Sequence, residues 1–491
     1  MPPTAFLRLP KALRLFSLFC CLAAVPALAQ KAQLYTYQDL SKTAYARQKD
    51  SLKKFWICPT LYTEKETQKK YREIWDGRAA YIATAIDNNN YVKEDEVYRY
   101  VDGILANLVS GNQGMLPQKP LLLIDRSAAV NAYAIGGNII AVNAGLISFA
   151  ESREEIALVI AHELSHNILQ HPDQSMREQA EYFTSAEYKK SLDDVLKNEY
   201  QRFSKLKKIF EGYSIDRSRH HRYHESDADS LAVVLLKNSH IGFDARFFLR
   251  LDSADMQYRQ PLAHPVKAYF SPYNMQLEDA WTQKRSKGLS TRNYNFQDNN
   301  KLEDSLKTHP DCDARYAATL KATDAGLNLT AIPFSVKEKA NRILIWNLFD
   351  DLKLTACLYR IFLEKDKGNN DPWYDFMVHN IVQGLYYSDK QLNRFRSIAI
   401  VPKEYISKDY YALQTALEQI PRENLQQFCS VSRSLAFWQS LPADAVGLKS
   451  LMAALNTGES NEDKANASAA KAFLETYSNS MYCEFANHFK Q

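Results

Sequence analysis

Apolar positions recur at helical spacing along most of the chain, and two short apolar runs in its first half break that pattern. Residues 94–108 carry one apolar helical face, formed by Val97, Val101, Ile104, Leu105 and Leu108. The runs Leu121–Asp125 and Asn138–Asn143, the second directly after a Gly136-Gly137 turn, predict strands. Two short strands among many helices predict an α+β, mainly α fold.

A further apolar run, Ile156–Ala161, leads without a break into the sequence H-E-L-S-H and predicts one buried helix. His162 and His166 lie four residues apart and share a face, so they can bind one zinc ion while Glu163 reaches the water at that ion. A solvated histidine pair on a charged helix is the alternative. Burying these groups without a metal or partners is costly, so the pattern favours the zinc site of a metallopeptidase.

Zinc hydrolysis needs a third protein ligand and an open fourth position. Glu225 and Asp229 lie four residues apart on a second predicted helix, which continues into Leu231–Leu236. Glu225 is therefore predicted to bind zinc, one ion per chain, while Asp229 hydrogen-bonds a ligating histidine. The same pairing favours Glu225 over its neighbour His224 as the ligand.

The remaining pattern is mostly helical. Residues 175–210 contain no glycine or proline and predict one or two long exposed helices, which form either a solvated insertion or a lid over the site. Residues 253–300 have weak periodicity and predict a long loop. After about residue 332, amphipathic helices return, for example around 343–346 and 358–362. A thirty-four-residue repeat is only faintly visible there.

The N-terminus has the pattern of a secretory signal peptide with cleavage after Ala29. Arg8, Lys11 and Arg14 precede the apolar run Leu15–Val25. The chain is therefore divided into a signal peptide (1–29), an N-terminal helical segment (30–115), a domain with the zinc site (116–330) and a C-terminal all-α domain (331–491). We expect export, into a bacterial periplasm.

The charge of the mature chain is close to zero. Residues 1–29 contain three basic and no acidic residues, so cleavage lowers the formal charge from +4 to +1. A near-neutral chain argues against nucleic acid or an anionic membrane surface as the partner. No later apolar run is long enough to span a bilayer.

The cysteine pattern is not that of a disulfide-rich scaffold. Five cysteines remain after residue 29, and they are Cys58, Cys312, Cys357, Cys429 and Cys483. They are widely spread and none has C-x-x-C spacing, so one or two disulfides are allowed but a dense framework is not.

These motifs resemble peptidase family 48, the gluzincin metallopeptidases that include CAAX prenyl proteases, a bacterial heat-shock membrane protease and soluble periplasmic relatives. H-E-x-x-H is followed by E-x-x-A-D at residues 225–229. Asn131–Ile140 is similar to that family's N-A-F/Y-x-x-G-G-x-I segment, which ends here in Gly145-Leu146-Ile147. Thr308-His309-Pro310 with Arg315 is similar to its T-H-P-x-x-x-x-R segment. The resemblance covers about residues 95–325.

The resemblance implies a zincin-like domain with a small sheet beside the zinc helix. It implies His162, His166 and Glu225 as zinc ligands, Glu163 as general base and Asp229 as support for a ligand. It also implies that the strand after Gly137 is a sheet edge to which an extended peptide adds, through Gly137, Asn138, Ile139 and Ile140. The alternative for Gly136-Gly137 is an ordinary tight turn.

Some positions depart from the family or stay open. Asp227 stands where the family usually has Glu, and the multiple transmembrane helices of the prenyl proteases are missing, which favours the soluble periplasmic branch and its C-terminal helical repeats. His309 either modulates access to the zinc or stabilises an oxyanion, with Arg315 orienting it, or it is a structural loop histidine. His171, five residues beyond His166, is off the ligand face and is interpreted as surface or structural.

The sequence therefore predicts a zinc-dependent endopeptidase that hydrolyses exported or envelope proteins in quality control, with Glu163 as the base. Its substrates would be unfolded or misassembled polypeptides, and other proteins would bind the C-terminal helices. The alternative is a zinc-containing chaperone or assembly factor with little or no proteolysis. A purely structural zinc site is the weakest alternative, because no cysteine is near the motif in sequence.

Overall fold

The computed structural model describes residues 34, 45, 49, 56–197, 223–252, 258–283, 312–457 and 463–490. The predicted signal peptide, His309 and the end of the 175–210 segment lie outside these residues. Within the described ranges, no helix is both long enough and apolar enough to cross a membrane.

Three short strands form one sheet in the order β1-β3-β2. They are β1 (Leu121–Asp125), β2 (Ala132–Gly136) and β3 (Ile139–Asn143). β3 runs parallel to β1, with Leu121 opposite Ile139, and antiparallel to β2. The predictions of β1 and β3 are confirmed. β2 was missed, because alanine and glycine, which are depleted in strands, make up three of its five residues.

The expectation that the strand after Gly137 is the sheet edge is wrong. That strand is β3, which pairs with β1 on one side and β2 on the other. The chain turns back through Gly136, Gly137 and Asn138, all at positive φ, so β2 becomes the outer neighbour of β3. β2 is an edge strand of this sheet.

Both faces of the sheet are covered by helices. The helices of this region are α1 (Lys65–Asp87), α2 (Asp95–Gly111), α3 (Ala144–Phe149), α4 (Arg153–Ile168, with the zinc motif), α5 (His171–Thr184) and α6 (Ala186–Leu196), and α6 packs on α5 away from the sheet. Ile82 and Ile86 of α1 pack against Ile139 on one face. α2 and α4 join the larger apolar core on the other face, where alternate strand residues such as Ile140 point. The predicted helices at 94–108 and around 156–166 are confirmed.

The segment predicted as one or two exposed helices begins with α5 and α6. α5 packs on α1 and buries Met176 and Ala180, so it is not a solvated helix. α6 is largely exposed and its Lys189 reaches Glu66 of α1 at 2.6 Å. If residues 175–210 act as a lid, the moving part would therefore begin after α5, because α5 is packed on α1.

Four more helices are described between α6 and the C-terminal part. They are α7, whose described part covers residues 223–238, α8 (Arg246–Asp252), α9 (Val266–Phe270) and α10 (Cys312–Thr319). The predicted loop 253–300 is partly wrong, because its described part contains α9 and two 3-10 turns, Ser271–Tyr273 and Asp279–Trp281. Elements of three to five residues are too short to produce a periodic pattern.

The C-terminal part is helical, as predicted. Its helices are α11 (Phe334–Asp350), α12 (Leu354–Asp366), α13 (Pro372–Lys390), α14 (Arg394–Ile398), α15 (Lys408–Gln419), α16 (Arg422–Ser432), α17 (Ala443–Thr457), α18 (Asp463–Thr476) and α19 (Cys483–Asn487). Their apolar residues, including Trp346 and Trp373, belong to the same buried cluster as those of α2 and α4. None of the five cysteines after residue 29 forms a disulfide.

Candidate metal centre

Three side chains from two helices bring their ligand atoms together. The Nε2 atoms of His162 and His166, one turn apart on α4, lie 3.0 Å from each other. The carboxylate of Glu225 on α7 completes the group, with Oε2 3.2 Å from the first Nε2 and Oε1 3.3 Å from the second. All three residues are buried or nearly so.

This donor set fits zinc. Imidazole nitrogens and a carboxylate oxygen are ordinary zinc ligands, and tetrahedral bonds of about 2.0–2.1 Å place ligand atoms roughly 3.3 Å apart. The three observed separations are close to that value. His162, His166 and Glu225 are thus brought together as the sequence predicts, and as three ligands they leave a tetrahedral ion one further position.

A buried ion pair supports the first histidine. Asp229, one turn after Glu225 on α7, has Oδ1 2.9 Å from Nδ1 of His162. Arg315 of α10 donates Nε to Asp229 Oδ2 at 2.7 Å and Nη2 to Oδ1 at 2.5 Å. Burial by itself would raise the pKa of Asp229. Its hydrogen bonds with Arg315 and His162 together have the larger, opposite effect, so the pKa lies below its usual value. The carboxylate therefore stays ionised and holds the imidazole of His162 with Nε2 toward the other ligands.

His162 itself carries a shifted pKa. Burial lowers it, but the hydrogen bonds with Asp229 and Glu225 outweigh that effect and raise the pKa to about 9. Two carboxylates around one imidazole create a local negative potential. Such a potential attracts a cation, consistent with the donor set.

Glu163 lies beside the ligands and faces a cleft of about 330 Å³. Residues 131–134, at the start of β2, also line this cleft. The remaining lining residues are His166, His171, Pro172, Ser175, His224 and Glu225. A carboxylate, the ligand cluster and an edge strand therefore share one open space.

The edge of β2 offers main-chain groups to that space. The amide of Asn143 donates to the carbonyl of Asn131 at 3.1 Å, and Ala132 lies opposite Val142. In an antiparallel pair hydrogen-bonded and non-hydrogen-bonded positions alternate, so the N–H and C=O groups of Ala132 and Ala134 point away from β3. An extended chain can pair with these groups.

The accessible edge ends after Ala134. Arg78 of α1 donates Nη1 to the carbonyl of Ile135 at 3.3 Å and to Asp173 of α5 at 2.9 Å. Its guanidinium lies over the rings of Trp56 and Trp75, with centroids 3.8 and 4.2 Å away. These contacts cover the end of β2 and fix it against α5.

The four residues predicted to bind substrate do not line the cleft. Ile139 and Ile140 are buried in the middle strand. The carbonyl of Asn138 accepts the amide of Leu121, and Gly137 lies so close to Trp56 that a Cβ there would come within 2.6 Å of the ring. The prediction assigned the edge to the wrong strand of the hairpin.

His171 is the site residue that sequence reasoning missed. It is buried, its Nδ1 lies 2.8 Å from Nδ1 of His166, and its ring stacks on that of His224 at 4.1 Å. Of the two interpretations, surface or structural, the surface one is wrong, because α4 ends at Ile168 and the chain turns at Gln170, which has φ 58°. The signal was Pro172, because proline at the first positions of a helix marks a new helix start.

Asp229 lies where the sequence placed it, hydrogen-bonded to a histidine of the cluster. Arg315, which was predicted to orient His309, contacts Asp229 instead, and its Nη2 lies 3.3 Å from Nδ1 of His162. His309 lies outside the described residues, so its two functional roles and the alternative of a structural loop histidine all stay open.

Comparison with known proteins gives two matches. A family model described as peptidase family M48 matches residues 97–323. A protein of Vibrio cholerae serotype O1, named as a beta-barrel assembly-enhancing protease, is 28% identical over 198 residues, which are 38% of this chain and 40% of that protein. The matched part thus spans less than half the length of that relative. The family match includes all three candidate ligands as well as Glu163, Asp229 and Arg315.

Proposed function

The chain belongs, through residues 97–323, to peptidase family M48, and we propose that it is a zinc-dependent endopeptidase acting on exported or envelope proteins. One observation carries the proposal. One cleft is bordered by His166 and Glu225 of the three-residue ligand cluster, by Glu163 and by the start of β2.

His162, His166 and Glu225 would hold the zinc ion. When bound, zinc supplies Lewis acidity, which lowers the pKa of water and polarises a scissile carbonyl. Glu163 would take the proton from the attacking water and deliver it to the leaving amine. Asp229, itself held by Arg315, keeps His162 oriented during these steps.

The edge of β2 would bind the substrate. Main-chain groups of Ala132 and Ala134 can pair with an extended peptide of any sequence, because such hydrogen bonds do not read side chains. A folded protein rarely offers a free extended segment. Unfolded or misassembled polypeptides are therefore the substrates that this cleft would accept.

The envelope location rests on two supports. The predicted signal peptide at residues 1–29 would direct the chain to the periplasm. The Vibrio cholerae relative is named for beta-barrel assembly. That name also supports the second candidate, a zinc-containing chaperone or assembly factor, in which the same cleft binds proteins and rarely cleaves them.

The test combines zinc content with casein cleavage by the purified mature protein, with and without a chelator. Glu163→Gln should keep one zinc per chain and lose cleavage by roughly 10²–10⁴-fold, because the proton acceptor is lost. His162→Ala should lose both zinc and cleavage. Glu178→Gln is the matched control, since it makes the same change at an exposed glutamate of α5.

Three outcomes decide between the candidates. Chelator-sensitive cleavage that disappears in Glu163→Gln supports the peptidase. Bound zinc with no cleavage, together with binding of unfolded envelope proteins that persists in Glu163→Gln, supports the chaperone. Cleavage by Glu163→Gln at the unaltered rate contradicts the role of Glu163.

A further inference from the structure

His171 is the first residue of α5, the helix that follows α4 in the sequence. It follows the end of α4 at Ile168 by three residues, and its side chain is only 6% exposed. Its Nδ1 lies 2.8 Å from Nδ1 of His166, a hydrogen-bond distance. His171, which is not a member of the ligand cluster, therefore contacts His166 at Nδ1, the ring nitrogen that points away from the cluster.

The geometry fixes which ring donates. Nε2 of His166 points to Glu225 Oε1 and His162 Nε2, so Nε2 is the metal-binding nitrogen. A neutral imidazole that binds metal through Nε2 carries its proton on Nδ1. Nδ1–H of His166 must then donate, and Nδ1 of His171 must accept through its lone pair.

His171 is also tied to the helix of the third ligand. Its ring lies 4.1 Å from that of His224 with an interplanar angle of 8°, and His224 directly precedes Glu225 on α7. The one side chain thus contacts α4 by a hydrogen bond and α7 by stacking. These two helices carry all three ligands.

The position of His171 is itself rigid. Pro172 lies next to Gly136. Asp173 accepts a hydrogen bond from Nη1 of Arg78 at 2.9 Å. Arg78 in turn lies over two tryptophan rings and donates a hydrogen bond to the carbonyl of Ile135 in β2. The start of α5 is therefore held against α1 and the sheet whether or not a ligand is present.

We propose that His171 is a positioning residue of the zinc centre, which fixes the tautomer and ring orientation of His166 as Asp229 does for His162. The inference rests on the proposed zinc site. Both ligating imidazoles then have a hydrogen-bond acceptor, one an ionised carboxylate and the other a neutral imidazole. Losing such an acceptor typically weakens metal affinity by about 10–100-fold.

The experiment measures zinc affinity by competition with a chromogenic chelator, on the full mature protein. His171→Phe keeps a ring to stack on His224 but accepts no hydrogen bond, so we expect zinc to bind about 10–100-fold more weakly. His171→Asn places an amide oxygen near the former Nδ1 and should recover most of that loss. His264→Phe, at an exposed histidine, is the matched control and should not change the affinity.

Far-UV circular dichroism and the thermal unfolding midpoint of each metal-free variant establish that it is folded. A folded His171→Phe with unchanged zinc affinity overturns the inference, as does an equal loss in His171→Phe and His171→Asn, which would assign the effect to packing. If the unaltered protein binds no zinc, the proposed function fails together with the inference. Zinc binding that is lost in His162→Ala but unchanged in His171→Phe overturns only the inference.

Discussion

Arg126 and Glu484 lie 358 positions apart and form a buried ion pair with two hydrogen bonds. Nη1 of Arg126 is 3.1 Å from Oε1 of Glu484, and Nη2 is 2.7 Å from Oε2. Trp346 of α11 also donates to Oε2 at 2.7 Å. Arg126 directly follows β1, and its neighbour Asp125 accepts the hydroxyl of Tyr133 on β2 at 2.6 Å. The last described helix, α19, therefore contacts the segment that leads into β2.

Replacement of Glu484 should destabilise the protein strongly. Glu484→Ala takes the carboxylate away from the buried guanidinium of Arg126, and breaking a buried pair in this way costs about 3–5 kcal/mol. The free energy of unfolding from urea titration, followed by circular dichroism, measures the loss. Glu475→Ala is the control, because Glu475 is 68% exposed and 3.9 Å from Lys471, so its loss should cost less than about 1 kcal/mol.

A double variant tests whether the cost of Glu484→Ala comes from removing only one charge of the buried pair. Replacing both Arg126 and Glu484 by methionine removes both charges, so it should cost less than Glu484→Ala alone. A double variant that is less stable than the single one would contradict this account.

The substitution of glycine by alanine should have opposite effects on the free energy of unfolding at Gly145 and at Gly103. A Cβ at Gly145, in α3, would overlap with the carbonyl oxygens of Ala128 and Ala129, so Gly145→Ala should cost about 1–3 kcal/mol. A Cβ at Gly103, in α2, meets no atom within 4 Å, and alanine there should stabilise the helix by about 0.5–1 kcal/mol. Urea unfolding measures both, and equal signs would refute the packing argument.

The sequence predicts the parts of the site that depend on one helix at a time. His162 with His166, and Glu225 with Asp229, are each one helical turn apart, so their relation follows from helix geometry alone. Their convergence was inferred from zinc chemistry and from the family resemblance. The buried run Ile156–Ala161 likewise predicts its helix from local pattern.

Other parts depend on where the chain reverses. His171 reaches the site only because α4 ends and Gln170 turns the chain. β2 becomes the edge only because the Gly136-Gly137 turn folds it outside β3. Arg126 and Glu484 meet through the packing of many helices. Each of these relations is set by tertiary structure, which the periodicity of a single segment does not encode.

Three cysteines should resist alkylation in the folded protein. Cys357, Cys429 and Cys483 are buried, and burial raises the pKa of the Cys429 thiol to about 12 and that of Cys483 to about 11. Since the thiolate is the reactive form, iodoacetamide at pH 8 should label Cys58 and Cys312, which are partly exposed, before these three. Peptide mass spectrometry before and after unfolding in urea measures the order, and rapid native labelling of Cys429 would contradict it.

His488 should make stability depend on pH near neutrality. Its hydrogen bond with Asp350, 2.9 Å long, raises the pKa of the imidazole above its ordinary value. The folded pKa is higher than the unfolded one, so the stabilisation is fully present below about pH 6.5 and is lost as pH rises through the folded pKa.

Asp350→Asn removes the charged partner and provides the comparison. The difference in thermal midpoint between the unaltered protein and this variant should be larger at pH 6 than at pH 9. A difference that does not change with pH, or that grows with rising pH, would contradict the assignment. His488 is half-exposed, so the effect should be small.

The predicted division at residue 331 can be tested because α11 contacts the zinc-site region closely. Lys339 donates to Glu94 at 2.7 Å, and Asn341 pairs with Ser148 at 2.5 Å. Ile343 and Trp346 lie in the same buried cluster as α2 and α4. Removing residues 331–491 would expose this apolar surface, so we expect a chain of residues 30–330 to lack cooperative unfolding and to bind zinc poorly.

The unfolding transition and the zinc content of the 30–330 chain are compared with those of the mature chain, residues 30–491. A 30–330 chain that unfolds cooperatively and retains one zinc would show that the zinc-site domain folds alone, as the sequence division predicts. Loss of both properties would mean that the C-terminal helices complete the core on which α4 rests. In that case Glu484→Ala should also lower zinc affinity, because it loosens α19 from the same core, whereas Glu475→Ala should not.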